Sequence, residues 1–260
     1  MNKEKQLLLL TKEICGKYNL LWWLELGSLL GAKREGKIIE GDDDIDLAGW
    51  EEDFNSLELR KKLTAEFLEH NVDLHFGGGG LAIEKKGVLF INLHYYKPDK
   101  EGNVYSILPT KHGIIGVNLL KSLFLSVANY YGPFMLKLKE RDVKRIIIGS
   151  TKFIPTPLRN LFVRFCVWNI IRTDKCNMHI YYYPAKYYEE LVDLDFCGVS
   201  CKVPKETEKY LDMRYGNWRV PDKSFGNDSR TKIDKYFVDL NRKELKEVLL
   251  SKFIIKELKQ

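Results

Sequence analysis

Four aspartates occupy positions 42, 43, 44 and 46, and no other feature of this chain constrains its fold and chemistry as strongly. Like charges packed this closely repel one another, and burying them is unfavourable unless a cation neutralises them. Carboxylate oxygens suit the hard cation Mg²⁺, which proteins commonly share with substrate phosphates. The cluster therefore predicts a metal site that serves a phosphate-bearing substrate.

The apolar residues between the acids indicate how the cluster is displayed. Their alternation with the acids predicts a strand over Asp44–Ala48. Because side chains two positions apart share a strand face, we expect Asp42, Asp44 and Asp46 to converge on one or two ions and Asp43 to point away. A solvated acidic loop and a calcium loop are the alternatives, but the sequence lacks the glycine and the distal glutamate of an EF-hand.

A tight Gly-Ser turn precedes the acids. Gly27 allows close backbone approach, and Ser28, as the expected cap of a helix over Ser28–Arg34, offers a hydroxyl and backbone N–H groups to a phosphate. Three basic residues that can neutralise phosphate charge lie between the turn and the acids: Lys33, Arg34 and Lys37. The Arg34 guanidinium can do so bidentately, whereas ordinary solvated lysines are an equal alternative at the other two positions.

Charge and hydropathy exclude several classes of protein. The net charge of +6 favours anionic partners, but no dense block of Lys and Arg indicates nucleic-acid binding. The apolar run Leu7–Leu10 is too short for a signal peptide, and no segment approaches the roughly 18 apolar residues of a membrane span. Five cysteines without a paired C-x-x-C framework favour reduced thiols over a zinc site. We therefore expect a cytoplasmic protein.

Periodicity predicts alternating helices and strands in the first part of the chain. The expected strands are Leu21–Leu26, Asp44–Ala48, Val72–Phe76, Leu81–Lys86 and Val88–Tyr96. The expected helices are Lys3–Tyr18, Ser28–Arg34 and Glu51–His70. The run Gly77–Gly80 is interpreted as a hairpin connector, because no Lys-Ser/Thr follows it as in a phosphate loop.

The second part of the chain is predicted to be mainly helical and basic. Its expected helices are Val117–Tyr131, Phe134–Ile148, Leu158–Arg172 and Asp239–Leu258, with a C-terminal module near 189–221. We expect a catalytic core over residues 1–115 and a helical subdomain with the module over 116–260, which can pack as one domain. Packing helices are favoured, and peripheral contact with the inner membrane surface is the alternative for the basic, aromatic-rich ones.

Two ordered motifs carry a resemblance to a known family. The string Gly27–Asp46 is similar to the LicD family of the nucleotidyltransferase fold superfamily, which includes bacterial phosphocholine transferases, fukutin and fukutin-related protein. That family spells G-[ST]-L-L-G-A-x-R, seven residues, then D-x-D-[IV]-D, and seven residues also separate Arg34 from Asp42 here. Downstream, Tyr210–Pro221 resembles the family's closing signature Y-L-x-x-x-Y-G-x-x-W-x-x-P. The first motif departs from the family at Glu40-Gly41, where the family usually has Pro-Trp before the acids.

The resemblance implies an α+β fold, with a nucleotidyltransferase-like mixed β-sheet core flanked by helices and a helical C-terminal elaboration. It implies an Mg²⁺-dependent transferase, with Mn²⁺ as a substitute, that moves a phosphocholine or phospho-alditol group from a CDP-linked donor to a sugar hydroxyl and releases CMP. The acceptor would be a glycan, a lipid-linked glycan or a cell-surface polysaccharide. Asp44 and Asp46 would hold the metal with help from Asp42, Gly27 and Ser28 would position the donor phosphates, and Arg34 would stabilise their charge.

One departure affects the expected base. Asn92 stands where the family has a third carboxylate, and an amide cannot act as a general base. His94 shares its strand face and can ligate metal or accept a proton, while Asp73 and His75 offer a second pair. Two alternatives therefore stay open, namely a nucleotidyltransferase that places NMP on a small molecule or protein hydroxyl, and a non-catalytic nucleotide- or glycan-binding homologue.

Overall fold

The computed structural model describes residues 3–76, 79–85, 90–109, 178–221 and 237–239, with isolated positions between 155 and 168. The chain divides into two compact units, of which the first comprises Met1–Asp73, Gly80–Ser106 and Tyr181–Val238. The second comprises Leu74–Gly79, Ile107–Ile180 and Asp239–Gln260. The helices expected over 117–131 and 134–148 and after Asp239, and most of the helix expected over 158–172, lie outside the described residues.

Helices and strands alternate through the first half, as periodicity predicted. The helices with described bounds are α1 (Lys3–Lys17), α2 (Leu26–Glu35), α3 (Leu57–Glu69) and α4 (Thr207–Tyr215). The first six strands are β1 (Trp22–Leu24), β2 (Asp44–Trp50), β3 (Val72–Phe76), β4 (Gly80–Lys85), β5 (Phe90–Pro98) and β6 (Asn103–Pro109). They are followed by β7 (Met178–Pro184), β8 (Leu191–Phe196), β9 (Val199–Pro204) and β10 (Phe237–Asp239).

The main sheet is mixed, which confirms the α+β expectation. Its strand order is β1-β2-β5-β6-β7-β10, with β4 pairing with β5 and β3 with β4. Strand β2 runs parallel to β5 and antiparallel to β1, and β4 and β6 both run antiparallel to β5. The parallel register sets Asp44 opposite Phe90 and Asp46 opposite Asn92. The acids of β2 are therefore flanked by β5 on one side.

A separate two-stranded hairpin is formed by β8 and β9. Its two-residue turn, Cys197-Gly198, has φ angles of 54° and 73°. Positive φ at both turn positions is the conformation whose twist matches a two-residue hairpin. The Cys197 N–H donates to the Gly36 carbonyl at 2.9 Å, so the turn is attached to the end of α2.

Two predicted helix boundaries are wrong. Ser28 does not cap α2, because Leu26 already begins the helix with φ of 51° and Glu25 occupies the cap position. The helix expected over 51–70 is divided into a 3₁₀ turn at Glu51–Phe54 and α3, whose Ser56 side chain accepts the Leu59 N–H. A side-chain cap of this kind starts a new helix, which explains the division.

The core of the first unit is apolar and rich in aromatic rings. Ile45, Leu47, Ile91 and Leu93 of the parallel pair are each at most 1% exposed. Rings pack around Trp23, with centroids 5.0 Å away at Trp50, 5.9 Å at Tyr96 and 5.5 Å at Tyr188. Within the described part of the chain, no helix combines the length and apolar character that crossing a membrane requires.

Candidate active site

The acid cluster lies at the start of β2. Asp42, Asp43 and Asp44 each offer a carboxylate oxygen, and these oxygens lie within 4.8 Å of one another. Because β2 begins only at Asp44, strand alternation does not govern the two preceding residues. The expectation that Asp43 points away is therefore wrong: this exposed carboxylate reaches the same place as its two neighbours.

Asp46 is held through its backbone by Glu25 and by the first turn of α2. Its N–H donates to Ser28 Oγ at 2.8 Å, and its carbonyl accepts the Glu25 N–H at 3.0 Å. Ser28 is 2% exposed, so its oxygen is committed to this contact as an acceptor. Gly27 and Ser28, which were expected to form a phosphate-binding turn, belong to the first turn of α2, and Ser28 fixes the position of a metal-ligand candidate.

Gly27 is where α2 meets the acids. A Cβ atom at this position would lie 2.8 Å from Asp42 Oδ2 and 4.0 Å from Asp46 Oδ2. Only glycine leaves room for the Asp42 carboxylate against the helix start. The helix dipole presents partial positive charge there, which favours the two carboxylates and any anion that joins them.

Strand β5 brings both of its polar candidates to the acids. Asn92 Nδ2 donates to Asp44 Oδ2 at 2.7 Å. His94 Nε2 lies 3.1 Å from Asp46 Oδ1, and both side chains are 15% exposed. Both polar side chains of β5 therefore lie in contact with acids of β2.

Mutual repulsion and burial shift the acids' titration in the absence of a cation. Burial, followed by the charges of Asp46 and Asp42, raises the pKa of Asp44 to about 7. Burial and the Asp46 charge also raise the pKa of Asp42. Electrostatic strain of this kind is what a bound cation relieves.

The three basic residues differ in what they contact. The Arg34 Nε and Nη2 atoms both donate to Glu35 Oε1, at 2.9 and 2.7 Å. Lys33 Nζ pairs with Glu208 Oε1 of α4 at 3.0 Å, and Lys37 is exposed. Arg34 lies seven residues after Gly27, which places it on the same helix face about 10 Å along the axis.

The second expected pair is not brought to the acids by the strand order. Asp73 lies on β3, and β4 and β5 intervene between β3 and β2. Three strand spacings amount to about 14 Å. His75 belongs to the same strand.

Sequence reasoning missed Glu25, which is completely buried at the N-cap position of α2. Its carboxylate accepts Trp23 Nε1–H at 3.2 Å, the Tyr210 hydroxyl of α4 and the Leu26 N–H. A single acid inside the apolar run Trp22–Leu26 was the available signal, because a buried carboxylate needs partners. Its partner on α4 is 185 residues away in sequence, so the sequence did not predict the contact.

Comparison with known families decides which domain carries these acids. Residues 19–106 match the family model described as LicD/FKTN/FKRP, nucleotidyltransferase domain. This segment is a LicD-family domain. The LicD domain contains α2, β2 and all of β5, hence the four aspartates with Gly27, Ser28, Asn92 and His94, and its family supports a transferase role. Glu208 and Tyr210 of α4 lie outside it.

Two solved structures of an antibiotic-resistance factor, ANT(2'')-Ia, also resemble the chain. Its solution structure shares 13% identity over 67% of this chain and 97% of its own, with a TM-score of 0.29. Its crystal structure with adenylyl-2''-tobramycin shares 16% identity over 64% and 98%, with a TM-score of 0.27. These TM-scores are too low to support any conclusion about the LicD domain. No curated protein matches the chain at a significant level.

Proposed function

We propose that the protein is a Mg²⁺-dependent transferase that moves a phosphocholine or phospho-alditol group from a CDP-activated donor to a sugar hydroxyl. The observation that carries this proposal is the convergence of the Asp42, Asp43 and Asp44 carboxylates within 4.8 Å inside a LicD domain. The acceptor would be a glycan, a lipid-linked glycan or a cell-surface polysaccharide.

The donor atoms at the cluster suit Mg²⁺ or Mn²⁺. They are carboxylate oxygens, which hard cations prefer. Burial and the neighbouring carboxylates raise the pKa values of Asp42 and Asp44, and a bound cation would offset both effects. Asp42, Asp44 and Asp46 would hold the metal, with Asp43 available as a further oxygen ligand. The ion would neutralise charge on the transferred phosphoryl group and on the leaving phosphate.

The chain's own residues would position both substrates. Backbone N–H groups at the start of α2 would bind the donor phosphates beside Gly27, and the Arg34 guanidinium would bind them further along the same helix face. The acceptor oxygen attacks the donor's β-phosphorus, and the bond from that phosphorus to the oxygen bridging it to CMP breaks. CMP leaves with that oxygen, and the acceptor proton must go to a base.

We assign the base to His94, because Asn92 has no basic atom and His94 lies at the acids with Asp46 as its partner. The substitution His94→Gln removes the proton acceptor and keeps a polar side chain. The turnover rate is expected to fall by about 10²- to 10⁴-fold, with the donor dissociation constant little changed. Single-turnover kinetics together with donor titration test this assignment, and an unchanged rate would contradict it.

Nucleotidyl transfer is the second candidate, favoured by the family's designation as a nucleotidyltransferase domain. The same acids would then direct attack at the α-phosphorus of an NTP and release pyrophosphate. Mass spectrometry of the products distinguishes the reactions, because phosphotransfer from a CDP-linked donor yields CMP.

Turnover should depend on the acid cluster. Asp44→Ala should abolish turnover, whereas Asp193→Ala, at an exposed acid on β8, should leave it intact. Pyrophosphate in place of CMP would establish the second candidate. Donor binding without any turnover would identify a non-catalytic homologue.

We also propose that the protein acts in the cytoplasm and contacts the inner membrane surface peripherally. Leu158, Leu161, Phe165 and Trp168 are helical and 52–62% exposed, at the spacing of one helix face. Arg164 is exposed beside them, and the net charge of +6 suits anionic lipids. Sedimentation with anionic vesicles should be lost in Leu161→Asp, and equal binding by this variant would contradict the contact.

A further inference from the structure

A buried acid, a phenol and a guanidinium join α4 to the start of α2. Glu25 is 0% exposed and Tyr210 is also 0% exposed, and the Tyr210 hydroxyl donates to Glu25 Oε1. Arg214, 9% exposed, lies one helical turn further, with Nη1 3.4 Å from the Tyr210 oxygen and a second contact to the Tyr183 hydroxyl. The Arg214 guanidinium also lies 5.0 Å from the Tyr183 ring centroid.

This network acts on a short segment with an unusual backbone. Leu26 has a φ of 51°, a conformation that residues other than glycine rarely adopt, and the Glu25 carboxylate accepts the Leu26 N–H. The Glu25 N–H and the Ser28 hydroxyl oxygen bracket the Asp46 backbone from its two sides. A displacement of the segment 25–28 must therefore displace Asp46.

We infer that Glu25, Tyr210 and Arg214 are positioning residues, which hold the start of α2 and the Asp46 backbone in the geometry needed for metal and donor binding. The effect on metal and donor binding rests on the proposed function, whereas the positioning itself is a property of the fold. None of the three belongs to the metal-ligand or phosphate-binding set proposed above, so they act through Asp46, Gly27 and Ser28.

Simple stabilisation of the core does not account for these groups. Buried ionic groups contribute little net stability, because desolvation offsets their attraction, and apolar residues of similar volume commonly serve as well. The network instead restrains the direction of the Glu25 carboxylate. It accepts from Trp23 and Leu26, on either side of it in sequence, and from Tyr210, 185 residues away. Directional restraint on one segment is what a positioning role requires.

The test compares Tyr210→Phe with Tyr95→Phe in the full-length protein. Tyr210→Phe removes the hydroxyl that reaches Glu25 and keeps the ring. Tyr95→Phe is the matched control, because the Tyr95 hydroxyl is buried without a hydrogen-bond partner among the described residues. Glu25→Gln is a second variant that keeps the side-chain shape but removes the charge.

Amide hydrogen exchange of the metal-free protein is the first readout. In Tyr210→Phe, exchange at the amides of residues 26–29 and 46 should rise about tenfold relative to α1 and α3, whereas Tyr95→Phe should match the wild type. Because this readout needs neither metal nor substrate, it decides the positioning claim even if the protein transfers no phosphate. A uniform rise over the whole chain, or no rise at 26–29 and 46, would overturn the inference.

Binding of Mn²⁺, followed by electron paramagnetic resonance, is the second readout. Positioning predicts that the dissociation constant rises about tenfold or more in Tyr210→Phe and Glu25→Gln, with the number of sites unchanged. A merely structural role predicts fewer competent sites with the wild-type dissociation constant, and that result would overturn the inference. If the wild type binds no Mn²⁺, the proposed function fails, and the exchange result still decides the positioning claim.

Discussion

Gly27 shows how one missing side chain shapes the site. The Asp42 carboxylate occupies the space that a Cβ would need, with Oδ2 only 2.8 Å from the ideal Cβ position. The contact involves the end of a short side chain rather than backbone. Substitution is therefore expected to displace Asp42 and leave the fold in place.

Gly27→Ala should lower Mg²⁺ affinity about tenfold, because it displaces one acid of the cluster. The melting temperature of the metal-free protein should change little. Gly16→Ala is the control, since a Cβ at Gly16 meets nothing within 4 Å and alanine favours the helix. Calorimetric titration and thermal unfolding measure the two quantities, and wild-type affinity in Gly27→Ala would contradict the placement of Asp42.

Asp44 should make the metal-free protein less stable as the pH rises. Its pKa is raised from 3.8 to about 7 by burial and the neighbouring acids, so between these values the folded state binds more protons than the unfolded state. The free energy of unfolding therefore falls with pH across this window. In EDTA, Asp44→Asn should weaken this dependence, and saturating Mg²⁺ should remove it from the wild type. Urea unfolding at pH 5 and pH 8 measures the free energy of unfolding. The same pH dependence in Asp44→Asn as in the wild type would contradict this role of Asp44.

The residue types at the site were predictable, but their orientations were predictable only in part. Four acids in five positions were evident in the sequence. Gly27 lies against them, but within the first turn of α2 rather than in a turn that precedes the helix. Alternation failed at Asp43 because β2 starts one residue later. Ser28 failed as a cap because Leu26 enters the helix through a left-handed conformation, which no residue preference for leucine predicts.

At the scale of elements, the site depends on the parallel pairing of β2 with β5. The sequence predicted both strands and placed Asn92 and His94 on one face. It did not predict the register that sets Asp46 opposite Asn92. In this register Asn92 donates to Asp44, and His94 contacts Asp46. Register is decided by the packing of Ile45, Leu47, Ile91 and Leu93 in the core. Strand β7 was missed because tyrosines occupy consecutive positions 181–183, which masks alternation.

Asn92→Asp should increase the effect of Mg²⁺ on stability. The new carboxylate would lie beside Asp44, where the amide now donates at 2.7 Å, so repulsion should destabilise the metal-free protein. A cation would gain a further oxygen ligand, and the Mg²⁺-induced rise in melting temperature should exceed that of the wild type.

Asn103→Asp is the matched control for that variant. Asn103 Nδ2 donates to Asp99 Oδ2 at 3.2 Å in the turn before β6, so this change also brings two acids together but away from β2. Its melting temperature should show the wild-type response to Mg²⁺. An equal response in both variants would contradict a specific metal site at the β2–β5 edge.

At the scale of the whole molecule, the LicD domain is not a self-contained unit. The family match covers residues 19–106, whereas Tyr181–Val238 belongs to the same compact unit and supplies the Tyr210 contact to Glu25. The α+β class and the order of the early elements followed from local periodicity. The contact of α4 with the start of α2 did not, because no local pattern encodes which distant segment packs there.

The proposed function requires that the acid cluster bind a divalent cation and, with it, a CDP-linked donor. Its most direct test is a calorimetric binding screen of CDP-choline, CDP-ribitol, CDP-glycerol and the common NTPs, each with Mg²⁺ and with EDTA. We predict that at least one CDP-linked donor binds wild-type protein only with Mg²⁺, and that Asp44→Ala abolishes this binding while Asp193→Ala preserves it. Donor binding that persists in EDTA or in Asp44→Ala would contradict the claim.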